Sequence, residues 1–257
     1  MTTAFGPTTT KRAQMDPTRK IALAAGVLFL ITYITSIPAQ LVLYHPLLSD
    51  PAKYIASGGA DPAVSLGAFL EAILVVANIG TAVVLYPLLK RLNHVVALAY
   101  VTLRVVESAA IMVGIVSVLS VLTLRQNFAG GAGAVTVART LVAVHDWTFL
   151  LGPAAFGVLG TGPLLGYLMF KSGLVPRKMA VLGLVGGPLD FAATMAVVFG
   201  LFELGSAWQS IAVIPEFFWE LSFGIYCTVK GFRPSPITSE FNGVEMPEAP
   251  ERIPVRA

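Results

Sequence analysis

The stretch that decides the fold is VSLGAFLEAILVVANIGTAVVLYPLLK, residues 64–90. It is long enough to cross a bilayer, whose hydrocarbon core of about 30 Å needs roughly 20 helical residues. Yet it contains Glu71, and an ionised side chain near the bilayer centre costs about 2.5–3.5 kcal/mol. The same contradiction recurs along the chain, because carboxylates lie inside five of its six long apolar runs.

The composition supports a membrane protein with an all-α fold. Of the 257 residues, 56% are hydrophobic and 12% are charged, whereas roughly 25% of a soluble domain is charged. The mean hydropathy is +0.78. We therefore predict a polytopic bundle of six transmembrane helices, at approximately 21–43, 64–89, 95–124, 138–170, 179–202 and 207–229.

The basic residues of the connecting segments predict the orientation of this bundle. One side of the membrane would hold Lys11, Arg12, Arg19, Lys20, Lys90, Arg91, Lys171, Arg177, Lys178, Lys230 and Arg233, and the other only Lys53, Arg125 and Arg139. Because positive loops stay in the cytoplasm, both termini are predicted to be cytoplasmic. We expect a disordered segment over 1–20, the six-helix domain over 21–232, and a disordered proline-rich tail over 233–257.

Several functional classes are excluded or disfavoured. The one cysteine, Cys227, excludes an internal disulfide. The net charge of +3 is explained by the loops, so no nucleic-acid partner is predicted. His45 and His94 would lie at opposite membrane edges, and no His-Glu-x-x-His, Gly-x-Ser-x-Gly or phosphate-loop motif occurs. We predict no metal site and leave any cofactor unknown.

The charged residues inside the apolar runs are the candidate binding residues. Arg104 and Glu107 are three residues apart, and Glu216 and Glu220 are four apart, so each pair shares a helix face. With a rise of about 1.5 Å per residue, most of the set falls at similar depth and is expected to converge in the outer half of the bundle. The candidates are Glu71, Arg104, Glu107, His145, Asp146, Asp190, Glu216 and Glu220.

Three interpretations of these residues remain open at this stage. They are interhelical hydrogen-bonding groups, or they line a pocket for a proton, cation or substrate, or they form a metal-dependent hydrolytic site. The carboxylates outnumber the one arginine, so protonation or a bound cation is required whichever interpretation holds. Glycine–proline pairs at Gly152-Pro153, Gly162-Pro163 and Gly187-Pro188 predict irregular helices near the candidates.

The chain also resembles a bacterial membrane family catalogued as domain-of-unknown-function 4386. The resemblance rests on the stretches GAFLE (67–71), LYPLLK (85–90), LRVVE (103–107), HDW (145–147), GYL (166–168), SGLVPR (172–177) and the run from Glu220-Leu221-Ser222 to Lys230-Gly231. It covers roughly residues 20–232. It implies a six-helix bundle in a bacterial cytoplasmic (inner) membrane, with recurring polar positions at Glu71, Arg104, Glu107, His145, Asp146 and Glu220. It implies no reaction.

The leading functional hypothesis is binding or transport of a small molecule, a lipid or an ion in an intramembrane polar pocket. Glu71, Glu107, His145 and Asp146 would line the pocket, and Arg104 would balance their charge. A second hypothesis is a membrane-embedded hydrolase or transferase acting on lipid, with His145 as base and Asp146 as its orienting group. A third is a non-catalytic subunit of a membrane complex. The lipid bilayer is the one certain partner, and an oligomer remains open.

Overall fold

A computed structural model describes residues 15–129 and 131–243, and the secondary structure it shows there is helical. The α-helices are α1 (Pro17–Pro38), α2 (His45–Ser49), α3 (Pro51–Ala56), α4 (Pro62–Leu89), α5 (His94–Asn127), α6 (Ala132–Leu151), α7 (Gly166–Ser172), α8 (Arg177–Val198), α9 (Ala207–Val229) and α10 (Pro236–Phe241). A π-helical segment, Ala39–Leu43, continues α1. Two more, Gly152–Gly157 and Gly160–Leu165, connect α6 to α7.

Five helical segments within the described residues are long and apolar enough to cross a membrane. They are Pro17–Leu43, Pro62–Leu89, His94–Asn127, Gly133–Ser172 and Arg177–Val198. An all-α fold and a multi-pass membrane protein, both predicted from the sequence, are therefore confirmed. The predicted sixth span, α9, is 23 residues long but is not among the five. Its two carboxylates and its Gln209 lower the hydropathy of an otherwise apolar helix.

The long helices form a closed ring. In order around it, α1 packs on α4, α4 on α5, and α5 on α6 with the π-helical segments that follow. The second π-helical segment and α7 then pack on α8, α8 packs on α9, and α9 returns to α1. Because the last helix contacts the first, the ring is closed, and residues of α1, α4, α5, α6, α8 and α9 face a central space.

Side-chain caps explain where several helices begin. The Asp16 carboxylate accepts a hydrogen bond from the backbone N–H of Arg19, and the Asp61 carboxylate caps α4 in the same way. Pro17 and Pro62 follow these caps, at the first helical position, where a missing N–H costs nothing. Such signals lie in the sequence itself, so the starts of α1 and α4 are locally encoded.

The ends of the bundle are more ordered than predicted. Helix α1 begins at Pro17, inside the segment 1–20 that was predicted to be disordered. Helix α10 forms inside the predicted tail 233–257, and Asn242 hydrogen-bonds to Thr18 at 3.1 and 3.2 Å. The prediction of disorder is therefore wrong for these parts of both segments, because each end of the chain gives the other a partner. The rest of both segments lies outside the described residues.

Two further helix boundaries differ from the prediction. Helix α8 ends at Val198 rather than near 202, because the chain turns at Gly200 with a φ of 71°. The predicted helix 138–170 is longer at both ends and contains the two π-helical segments. Pro153 and Pro163 lie in those segments, in line with the irregular backbone that the glycine–proline pairs predicted.

Apolar clusters close the two ends of the ring. Helix α5 contributes to both clusters: Tyr100 belongs to the first, and Val118, Val121 and Leu122 belong to the second. The short helices α2 and α3 belong to the second cluster and pack there against the bundle. The residues of α5 that face the central space lie between these clusters. The sequence positions therefore place the space near the middle of the long helices.

Candidate functional site

A central cavity of about 260 Å³ lies inside the ring. Residues from each long helical segment line it, and they include five of the eight predicted site residues: Arg104, Glu107, Asp190, Glu216 and Glu220. The other three, Glu71, His145 and Asp146, do not line it. The predicted convergence into one group is therefore wrong for these three, which form a separate cluster described below.

Arg104, Glu107 and Asn78 form a closed hydrogen-bond network on the α4–α5 side of the cavity. The Arg104 guanidinium donates to Glu107 at 2.8 Å through Nη1 and to the Asn78 carbonyl oxygen at 2.6 Å through Nη2. The Asn78 amide nitrogen donates to the other Glu107 oxygen at 3.0 Å. All three residues are buried. Glu107 is the carboxylate that forms a salt bridge with Arg104, and Nε of Arg104 has no hydrogen-bond partner among the described residues.

The carboxylates of α8 and α9 have no such partners. Glu216 accepts one hydrogen bond, from the Thr161 hydroxyl at 2.8 Å, through Oε1. Its Oε2 and the Oδ1 of Asp190 are buried and lack any hydrogen-bond partner among the described residues. Glu216 is 3% exposed and Asp190 2% exposed. Unsatisfied buried polar atoms are rare in folded proteins, and Nε of Arg104 is a third such atom among the residues that line the cavity.

Close packing of α8 and α9 brings Glu216 to its position. A Cβ on Gly186 would lie 2.5 Å from the Glu216 backbone nitrogen, so only glycine permits the two helices to approach here. A Cβ on Gly162 would lie 3.0 Å from Glu216 Oε2. The glycines thus place a carboxylate at the junction of three helical segments, next to Thr161.

The remaining cavity wall is largely apolar and aromatic. Tyr33 of α1 and Phe217 of α9 lie edge to face with ring centroids 5.1 Å apart. The Tyr33 hydroxyl donates to the Phe217 carbonyl at 2.9 Å, so it is already satisfied. Aliphatic and aromatic side chains complete this wall: Ile37, Leu74, Ile111, Phe149, Val158 and Val213. The cavity therefore combines carboxylates from α5, α8 and α9 with apolar side chains from most of the surrounding helices.

The second cluster forms where α1 ends. Its centre is Glu71, which accepts hydrogen bonds from the Gln40 amide at 2.6 Å and the Tyr44 hydroxyl at 3.0 Å. The Nε2 of His145 lies 3.3 Å from Gln40, and its Nδ1 lies 3.3 Å from Asp146. Both ring nitrogens of His145 are therefore engaged by protein groups.

Local structure explains the second cluster. The π-helical segment Ala39–Leu43 places Gln40 and Tyr44 beside α4. A Cβ on Gly67 would lie 2.5 Å from the Tyr44 ring, so glycine at this position makes room for the tyrosine. Asp146 is the outlying member, since 37% of its side chain is exposed, and it faces a separate recess of about 220 Å³.

Three polar residues that these clusters require, Asn78, Gln40 and Tyr44, were not among the predicted site residues. Gln40 and Asn78 lie inside predicted apolar runs and Tyr44 directly follows one, whereas the predicted site residues are all ionisable. Asn78 lies seven residues after Glu71, which places both on one face of α4. That spacing was a usable signal. The role of Gln40 depends on the π-helical segment and had no comparable signal.

Within residues 15–129 and 131–243, no group of three or more His, Cys, Asp or Glu side chains is arranged to hold a metal ion. A family model described as "Domain of unknown function (DUF4386)" matches residues 24–231. The chain belongs to this family. The resemblance inferred from the sequence is confirmed. No curated protein and no solved structure matches the chain.

Proposed function

We propose that this chain is a six-span protein of a bacterial cytoplasmic membrane, with both termini in the cytoplasm, that binds a small molecule in its central cavity for transport. One observation carries the proposal. Asp190 and Glu216 line a mainly apolar cavity, and each has a buried carboxyl oxygen without a hydrogen-bond partner among the described residues. A cavity with a few convergent polar groups is typical of small-molecule sites.

The position of α9 supports a sixth span. Helix α9 packs against α1 and α8 along the bundle, and its 23 residues are enough to cross the hydrocarbon core. Glu216 is buried inside the ring and Glu220 also lines the cavity, so neither carboxylate needs to contact lipid. The low hydropathy of α9 then reflects residues that serve the cavity.

A purely structural role explains one part of the polar set but not the other. Arg104, Glu107 and Asn78 hydrogen-bond to one another as interhelical groups should, and both oxygens of Glu107 have a partner, although Nε of Arg104 has none among the described residues. Asp190 and Glu216 hold helices together poorly, because each leaves an oxygen without a donor. A buried group of this kind costs about 1–3 kcal/mol, so its retention favours a function.

The lipid hydrolase hypothesis is less well supported. Its base would be His145, yet one ring nitrogen faces Gln40 and the other faces Asp146. A general base needs a nitrogen free to take a proton from water or a nucleophile. The geometry of His145 therefore favours a role in fixing the end of the bundle.

Native mass spectrometry of protein released gently from its own membranes tests the binding proposal. We expect a reproducible small-molecule adduct on the wild type and its loss in the variant Ala154→Phe, which fills the cavity. The variant Ala143→Phe adds the same side chain at an exposed position on the same helical segment and should keep the adduct. A clean wild-type mass, or an adduct that survives Ala154→Phe, contradicts the proposal.

Cysteine labelling in intact cells tests the topology. Glu203→Cys places a thiol in the exposed turn between α8 and α9, and Glu240→Cys places one on α10. An impermeant maleimide should label the first and not the second, while buried Cys227 stays unreactive in both. Equal labelling of the two sites, or the reverse pattern, contradicts six spans with cytoplasmic termini.

A further inference from the structure

Carboxyl groups outnumber cationic side chains in the lining of the cavity. Four carboxyl groups line it, and Arg104 is the one cationic side chain among the described residues that do so. Glu107 already pairs with that guanidinium at 2.8 Å. Asp190, Glu216 and Glu220 therefore have no cationic partner from the described part of the chain. Buried charges are stable only when they are paired, so these groups require protons or an external cation.

The structure also limits what kind of cation fits. A hard metal ion such as Ca²⁺ takes about six to eight oxygen ligands around it. Here carboxylates occupy part of the lining, while Ile37, Leu74 and Ile111 contribute to an apolar remainder. An inorganic ion would leave much of that surface empty. An organic cation has both a charged group for the carboxylates and an apolar body for the apolar side chains.

Two aromatic residues strengthen the match. The Tyr33 and Phe217 rings lie 5.1 Å apart on α1 and α9, and both line the cavity with Glu220. Aromatic faces attract ammonium groups by about 0.5–2 kcal/mol, and more strongly where water is excluded. The same surfaces also contact an apolar body, so they favour an amine that carries a hydrocarbon group.

The cavity volume sets the size of the ligand. At about 260 Å³ it is smaller than the roughly 300–1,000 Å³ of sites for drug-sized ligands. A ligand of suitable size therefore has a single compact ring or a short branched chain and carries one ammonium group. The cavity is partly open, since Ile37, Phe149 and Phe217 in its lining are exposed, so this volume describes the part of a ligand that lies inside it.

We infer that the cavity binds a small organic cation, a protonated amine with a compact apolar body, whose ammonium group is received by Asp190, Glu216 and Glu220. This inference rests on the proposed function. Glu216 is fixed by Thr161 and leaves Oε2 free, Asp190 leaves Oδ1 free, and Glu220 stands at the partly exposed side of the cavity. Arg104 pairs with Glu107 on the α4–α5 side of the cavity, so it is not the cationic partner of the other three carboxylates.

Three probes of nearly equal size isolate the effect of charge. Benzylamine is a cation at pH 7, benzyl alcohol is neutral, and benzoate is an anion. Thermal unfolding of the detergent-solubilised full chain, followed by tryptophan fluorescence, reports binding because a ligand of the native state raises the unfolding midpoint. We expect benzylamine to bind at least tenfold more tightly than benzyl alcohol, and benzoate to give no shift.

Variants that replace a carboxylate with a carboxamide identify which residues bind the ammonium group. Asp190→Asn, Glu216→Gln and Glu220→Gln should each weaken benzylamine binding at least tenfold and leave the weak benzyl alcohol shift unchanged. Glu203→Gln removes a carboxylate from an exposed turn and should bind like the wild type. Glu220 is the least buried of the three, so its variant remains informative if the other two fail to fold.

The outcomes separate this inference from the proposed function. If benzylamine and benzyl alcohol bind equally, or benzoate binds best, the cation inference is overturned while a binding cavity remains. If no probe binds but the native adduct is still lost in Ala154→Phe, the cation inference again fails alone. If no probe binds and the wild type has no adduct, both fail. Tenfold selectivity for benzylamine that is lost in the three variants supports both.

Discussion

A double-mutant cycle on Arg104 and Glu107 gives the sharpest test of how this bundle tolerates buried charge. The pair is 2.8 Å apart, and 3% and 7% of the two side chains are exposed. Arg104→Met removes the cation and leaves a buried carboxylate, whereas Glu107→Leu leaves a buried guanidinium. The double variant removes both charges and keeps roughly the volume of the side chains.

The expected magnitudes follow from the burial of the pair. Breaking a buried ion pair by removing one partner costs about 3–5 kcal/mol, because the remaining charge is uncompensated. For a chain of this length each kcal/mol corresponds to about 2–4 °C, so each single variant should unfold about 6–20 °C earlier. Replacing both partners with apolar residues is often neutral, so the double variant should recover most of this loss. Asn78 then loses two partners, and adding Asn78→Leu should recover more.

The protein contains its own reporter for this measurement. Cys227 is the single cysteine, and it is fully buried. A dye that fluoresces on reaction with a free thiol will therefore report unfolding on heating in detergent. Single variants that unfold within about 1 °C of the wild type would show that the pair carries little energy. A double variant destabilised by the sum of the two singles would show that the network does not act as a unit.

The remaining predictions concern other parts of the fold. Gly157→Ala should lower the unfolding midpoint, because its Cβ would lie 2.7 Å from the Glu107 carboxyl carbon, while Gly160→Ala, with 3.4 Å of clearance, serves as the matched control. Asp16→Ala should cost about 0.5–2 kcal/mol of stability as a lost helix cap, and Asp16→Asn should cost less. The α1 backbone lowers the pKa of Asp16, so the stabilisation is present above the unfolded-state pKa and should fade as pH falls through the folded-state pKa. Glu71→Leu should cost about 1–3 kcal/mol for each polar group it leaves unpaired, and Glu71→Gln less, as measured by thermal unfolding.

The helices of this protein were largely predictable because their signals are local. Apolar length located the long segments, and the aspartate–proline pairs at the starts of α1 and α4 are visible in the sequence. What escaped prediction depends on distant contacts. Thr18 and Asn242 hydrogen-bond although they are 224 residues apart, so nothing near either residue indicates that both ends of the chain are ordered.

The residues of the candidate site could be predicted from the sequence, but their separation into two clusters could not. Apolar context marks Glu71, Glu107 and Glu216 equally, and depth along the helices placed them close together. The structure separates Glu71 from Glu107 because Glu71 lies seven residues, about two helical turns, before Asn78 on α4, at the level where α1 ends. Gln40 consequently faces Glu71, while Glu107 faces Gly157 and the central cavity.

Hydrogen-bond satisfaction separates structural from functional charge here better than burial does. Glu107 and Glu216 are about equally buried, at 5% and 3% exposure, and both line the same cavity. Glu107 has a partner for each oxygen, whereas Glu216 has a partner for only one. The two should therefore respond differently to loss of charge. Glu107→Gln disturbs a satisfied network, so it should lower stability with little change in cation selectivity. Glu216→Gln removes an unpaired charge, so it should keep or raise stability and abolish the preference for benzylamine over benzyl alcohol.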